Sequence, residues 1–334
     1  MDVVKILRDA VLSLPKGEHS AGLNAILRHI SAAIRHFERR DGLDQDNFTD
    51  AIYRTNQAYE GSLKEAYRVL AEKDPSRETP HGIEVYLESN NVIRPRVLTQ
   101  LTRYRHDYRN PSTHDYKLDF DENEALLSIV SVCAFAKLLI DQISERLAYL
   151  EQASKDNTGE SSLDFDSDKE LAEFASYSMQ KYLNDSNNEN DEQEKYSAFL
   201  GRIAGHLSST GLTTDLYKRI SHPDSNEDDE IQEVEDTDIW DIFVSHENLS
   251  SPIEIRGISD ELEARNFYTL IFMAQPMIES NIEAGIFIHR SAHNVKYNVY
   301  ETIFNGRTIF LLSKFDINTI NSINNEDCSF KLVQ

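Results

Sequence analysis

The chain has 334 residues, with 34 Lys+Arg against 58 Asp+Glu and a formal net charge of -24. That length exceeds one small bundle and gives room for two domains, each with its own core. Only Cys133 and Cys328 are present, which excludes a disulfide framework and a thiolate metal centre. The acidity does not exclude nucleic acid, because it is lopsided: residues 1–150 carry 20 Lys+Arg and 23 Asp+Glu, residues 151–334 carry 14 and 35, leaving -3 and -21. With a Debye length of about 8 Å at physiological salt, distant acidic tracts barely affect a local basic patch.

Apolar runs such as "AFAKLLI" and "TIFLLS" fall short of the roughly 20 residues of a membrane span, and "MDVVKILRDAVLSLPKGE" lacks a signal-peptide pattern. A cytoplasmic protein without membrane contact is expected. Residues 1–150 are helical in pattern. Apolar residues recur every three or four positions in "VVKILRDAVLSL", "LNAILRHISAAIRHF" and "FTDAIYRTNQAYEGSLKEAYRVL", and from Ala125 through Ile129, Cys133, Ala136, Ile140, Ile143 and Leu147. The spacing predicts four or five helices in an antiparallel bundle, with "EKDPSRETPHG" and "NPSTHDYKLDFDEN" as interhelix connections.

Polar residues 151–168 read as a linker, 169–221 as a helical connector, and 222–238 as an acidic flexible tract with nine acids and no Lys or Arg. Residues 239–334 change to an α/β pattern: "DIWDIFVSH" and "SPIEIRGIS" are strand-like, "ELEARNFYTLIFMAQPMIES" is helical in period, and "EAGIFIHR" is a strand. "NVYETIFNGRTIFLLSKF" reads as two strands around a turn at Asn305-Gly306. The predicted fold class is multidomain: an all-α bundle followed by an α/β domain.

The chemistry-bearing stretch is "YRNPSTHDY". Metal-independent RNA cleavage needs a group to take the 2′-hydroxyl proton, charge stabilisation at phosphorus, and an acid for the departing 5′-oxygen. His114 can serve as acid or base near neutral pH, and Arg109 offers a permanently charged fork that matches phosphate oxygens. Upstream, Arg94, Arg96, Arg103, Arg105 and His106, with Asp107 the only acid among them, form a candidate RNA-binding strip. A structural alternative stands beside this: a turn with Arg109 paired to an acid such as Glu60.

These residues carry a resemblance. "YRHDYRNPSTHDYKLDFDENEALLSIVSVCAFAKLLIDQI" resembles the closing motif of the HEPN superfamily, R-x-x-x-x-H with a polar residue directly after the Arg, followed by the last bundle helix. "TDAIYRTNQAYEGSLKEAY" is similar to the middle helix of HEPN proteins of bacterial phage-defence and abortive-infection systems. The resemblance covers about residues 1–150. It implies a homodimeric, metal-independent endoribonuclease in which two Arg/His pairs meet in one cleft. Arg109 would hold the scissile phosphate, His114 would be general base or acid, and Asn110 would orient one of them. RNA would be the substrate, with an antitoxin or phage-derived trigger as further partner and no cofactor at this site.

In 239–315, Asp241 and the Glu254-Ile255-Arg256 triplet resemble the D…(D/E)-x-K core of restriction-endonuclease-like folds, in which two carboxylates hold Mg²⁺. Arg256 departs from the pattern at the lysine place and cannot act as an ordinary base. An active Mg²⁺ nuclease, an inactive sensor of that fold and an unrelated α/β domain stay open there. His289 and His293 are four apart, with no third candidate ligand. For the whole chain the alternative to a ribonuclease is a non-catalytic dimeric interaction or sensor protein.

Overall fold

The computed structural model describes residues 2–39, 46–90, 92–114, 119–155, 163–185, 195–217, 219–220, 238–256, 274–290, 295–323 and 329–333. It divides into two compact units, 1–147 and 148–334.

Among its described residues the first unit has helices and no strands: α1 Val3–Leu12, α2 His19–Glu38, α3 Asp46–Leu70, α4 Pro80–Ser89, α5 Pro95–Tyr104, a π-helical turn Arg105–Arg109, α6 Asn110–His114, and α7 Glu122–Lys155, which runs on into the second unit. The starts of α1, α4 and α7 are fixed by a side chain that meets orphan backbone donors. Asp2 accepts from the Lys5 N–H, and Thr79, with Pro80 next, accepts from the Gly82 N–H. Asp121 and Glu124 cap α7 reciprocally at 2.9 Å, with Phe120 buried beside them. Leu23, Ile26, Ile30, Ile52, Tyr59, Leu63, Tyr104, Phe135 and Leu139 form one core. In α7 the periodic residues Ala125, Ile129, Cys133, Ala136, Ile140 and Ile143 are all buried. By length and composition α7 could cross a membrane, which the short apolar runs had not suggested; 56% of its apolar window is buried within the protein.

Among its described residues the second unit contains α8 Asp168–Asp185, α9 Tyr196–Ser209 and nine strands: β1 Thr213–Leu216, β2 Arg219–Ile220, β3 Asp238–Ile239, β4 Ile242–His246, β5 Leu249–Arg256, β6 Ala284–His289, β7 Asn298–Phe304, β8 Arg307–Ser313 and β9 Lys331–Leu332. A last helix, α10, spans Ile317–Ile323. Seven strands make a mixed sheet in the order β1-β4-β5-β6-β8-β7-β9, and β2 pairs with β3 separately. β5, β6 and β8 are parallel; β1, β4 and β5 run alternately antiparallel. One face of the sheet packs on α8 and α9 through Ala175, Met179, Phe199 and Ile203. The other carries Phe243, Phe287, Ile309 and Leu311. Burial on both faces explains why β6 and β8 read as continuous apolar runs rather than alternating ones. The hairpin β7–β8 closes with Phe304 opposite Arg307, and Asn305 and Gly306 both take positive φ (48° and 76°), as a two-residue primed turn requires.

Several sequence expectations change. Residues 151–155, expected in a linker, continue α7, and residues 169–221 are no free connector: α8 and α9 bury one sheet face and β1 is its edge strand. The connection expected at 110–114 is helical. Residues 221–237, nearly the whole acidic tract, lie outside the described residues, as do His293 and residues 261–273 of the helix expected at 261–280; its residues 274–279 are helical.

Candidate functional site

Pro111 lacks an N–H, and its ring would press on the carbonyl four residues back in a regular α-helix. The backbone meets this by widening before it: the Asn110 N–H donates to the Arg105 carbonyl, five residues back, making the π-turn. Helical winding then resumes to His114, and the hydroxyls of Ser112 and Thr113 both donate to the Arg109 carbonyl, at 3.0 and 2.8 Å.

The turn is bolted to α3. Asn56 Nδ2 donates to Ser112 Oγ at 2.7 Å, and Tyr104 OH lies 2.7 Å from Thr55 Oγ1 and 2.9 Å from Asn56 Oδ1. Tyr104 stacks on Tyr59 with ring centroids 5.1 Å apart. Tyr59 OH donates to Glu84 Oε1 at 2.6 Å; burial first, then this carboxylate, pushes its pKa well above the ordinary tyrosine value, so it stays a donor. Burial likewise raises the Tyr104 pKa. Sequence reasoning missed Asn56, Tyr104 and Ser112 as supports; the available signal was Thr55 and Asn56 beside the apolar stripe of α3.

On this platform Arg109 keeps about a quarter of its side chain exposed. Its Nη1 donates to Asn110 Oδ1 at 3.2 Å and its Nη2 reaches Glu60 Oε1 at 3.5 Å. Two contacts engage two of five guanidinium N–H groups, and the Glu60 contact is at the outer limit of a hydrogen bond. His114 ends α6; its side chain lies outside the described residues.

The basic strip is smaller than its sequence suggests. Arg94 Nη2 binds the buried Glu145 at 2.5 Å and Arg105 Nε lies 2.7 Å from the buried Glu84; both tie helices together. Sequence position reveals charge but not these partners. Arg103 and His106 remain, 76% and 86% exposed, each beside Asp107, at 3.9 and 3.4 Å. The Arg96 side chain lies outside the described residues.

In the second unit Ile242 pairs with Ile253, so the residues flanking that pair, Asp241 and Glu254, are cross-strand neighbours. Both are buried. Asp241 Oδ2 accepts from the Ile255 N–H at 2.8 Å, and Tyr196 hydrogen-bonds to the same carboxylate. Burial, then Asp241, lifts the Glu254 pKa well above the carboxylate range, while Arg256, in direct contact with Glu254 Oε1, works against the rise. These donors do not fit Mg²⁺, which takes six oxygen ligands in near-ideal octahedral geometry. One carboxyl is pushed towards its protonated form by burial and by its neighbour and faces a guanidinium, the other is already engaged, and no cluster of three or more ligating side chains occurs among the described residues. His289, fully buried on β6 beside Phe315, has neither ring nitrogen hydrogen-bonded among the described residues.

No family model, curated protein or solved structure matches this chain.

Proposed function

We propose that the chain is a metal-independent endoribonuclease effector of a bacterial defence or toxin-type system, acting as a homodimer through Arg109, Asn110 and His114. The observation that carries this is Arg109: a partly exposed guanidinium with open donors, braced by Asn110, on a turn fixed to α3 and five residues before a histidine.

In this reading Arg109 grips the scissile phosphate. One His114 takes the proton as the 2′-oxygen bonds to phosphorus, and a second, from the other copy, protonates the 5′-oxygen as its bond to phosphorus breaks. The products carry 2′,3′-cyclic phosphate and 5′-hydroxyl ends. Support for that copy comes from α7, where Leu127, Val130 and Leu138, at helical spacing, are 56%, 55% and 39% exposed. The C-terminal unit serves as sensor or silencer.

The test is incubation of cellular RNA with purified full-length protein in EDTA, alongside Arg109→Ala. Cleavage by the wild type alone supports the reading. Cleavage only with Mg²⁺ contradicts the metal-independent mechanism, and none with or without Mg²⁺, in a dimeric protein, favours the interaction-protein alternative.

A further inference from the structure

Between α1 and α2 lies a groove of about 560 Å³ that neither the ribonuclease site nor its flanking strip uses. Arg8 reaches it from α1; Arg28 and Arg35 come from α2, with Asn24 and Ser31 between them in the lining. Positions 24, 28, 31 and 35 recur at four, three and four, so they share one face of α2. Arg28 and Arg35 are seven residues apart, about 10.5 Å along the axis, so the guanidiniums line a track rather than a point. All three arginines are exposed, and none has a hydrogen bond or ion pair among the described residues. That contrasts with Arg94 and Arg105, which are consumed by buried carboxylates. Leu12 and Leu27 give the groove an apolar side.

Three unneutralised planar forks along a concave track match successive phosphodiesters, since each guanidinium can grip a phosphate through paired N–H donors. The leucines can contact ribose or base while Asn24 and Ser31 supply polar contacts. The positive field is felt nearby: burial first, then Arg54 and Arg28, lowers the His29 pKa.

We infer that the Arg8–Arg28–Arg35 groove binds the sugar-phosphate backbone of single-stranded RNA. The inference rests on the ribonuclease reading for its choice of RNA over another polyanion, and binding tests it separately from cleavage.

The experiment measures fluorescence anisotropy of a labelled 2′-O-methyl RNA, which cannot be cleaved through its 2′-oxygen, on full-length protein across a salt series. The Arg8→Ala/Arg28→Ala/Arg35→Ala variant binds at least about 10-fold more weakly, and its log–log salt slope falls by about 2, as expected for three lost single-strand contacts. Arg28→Glu, one change at an exposed position, weakens binding in the same direction. Unchanged affinity and slope in both variants overturn the assignment. So does displacement of the RNA by millimolar inorganic phosphate, which would mark a single-anion site, or by polyglutamate of equal charge to that RNA and at equal concentration, which would mark an acidic-peptide site. If wild type binds RNA through the groove yet never cleaves it, the groove stands and the ribonuclease reading falls. If it cleaves and the triple variant binds unchanged, the reverse holds.

Discussion

Asn56 Nδ2 donates to Ser112 Oγ at 2.7 Å, across 56 residues of sequence, and so ties the short helix that carries His114 to the middle of α3. The same amide accepts from Tyr104, so one buried side chain orders both sides of the π-turn. Asn56→Leu leaves two hydroxyls short of a partner and should lower stability by about 1–3 kcal/mol in urea unfolding. RNA cleavage at a temperature where the variant is folded should fall further than that loss explains, because the Arg109 platform loosens.

Arg109 behaves oppositely. Its ion pair with Glu60 is long and partly exposed, so Arg109→Ala should shift stability by less than about 0.5 kcal/mol while abolishing cleavage. Arg109→Lys should restore little, because an ammonium lacks the planar fork. A variant that unfolds, or one that cleaves normally, contradicts the assigned role.

The exposed apolar row on α7 predicts a dimer that charge can split. Leu127→Glu with Val130→Glu should yield a folded monomer by light scattering and lose cleavage together with dimerisation. A dimer that survives the change removes this face from the interface.

The second unit should weaken in acid through His289. Burial holds its pKa down to about 4, against 6.5 for the free side chain, so the unfolded chain takes up the proton first. Its contribution is full above about pH 6.5 and is lost as pH falls towards 4. Glu254 has the opposite sign, since its raised pKa removes stability as pH rises above the ordinary glutamate range. Comparing wild type with His289→Leu isolates the histidine: the stability difference between them should move by about 2 kcal/mol in favour of the variant between pH 7 and pH 4.5. A constant difference would show that His289 titrates normally.

Much of the helical unit was legible because 3.6-residue periodicity leaves its mark wherever one face is buried, as from Ala125 to Ile143. The hairpin was legible from Asn305-Gly306 because few other residues accept two positive φ angles. The stretch after Arg109 misled for a physical reason: Pro111 marks a helix break, but a π-turn just before it absorbs the missing N–H and the chain stays helical. Arg94 and Arg105 misled differently. A run of cations looks like a phosphate track until the third dimension supplies Glu145 and Glu84, respectively 51 and 21 residues away in sequence. The unpaired arginines on α1 and α2 lay too far apart in sequence to read as a cluster.

The most direct measurement is the chemistry of the ends. Purified wild type and His114→Ala, each verified as folded by circular dichroism, are incubated with a defined RNA in EDTA, and the products are scored for 2′,3′-cyclic phosphate. Cyclic ends from the wild type and none from His114→Ala are the expected result. Equal cleavage by both proteins, or 3′-hydroxyl ends from the wild type, would contradict the account.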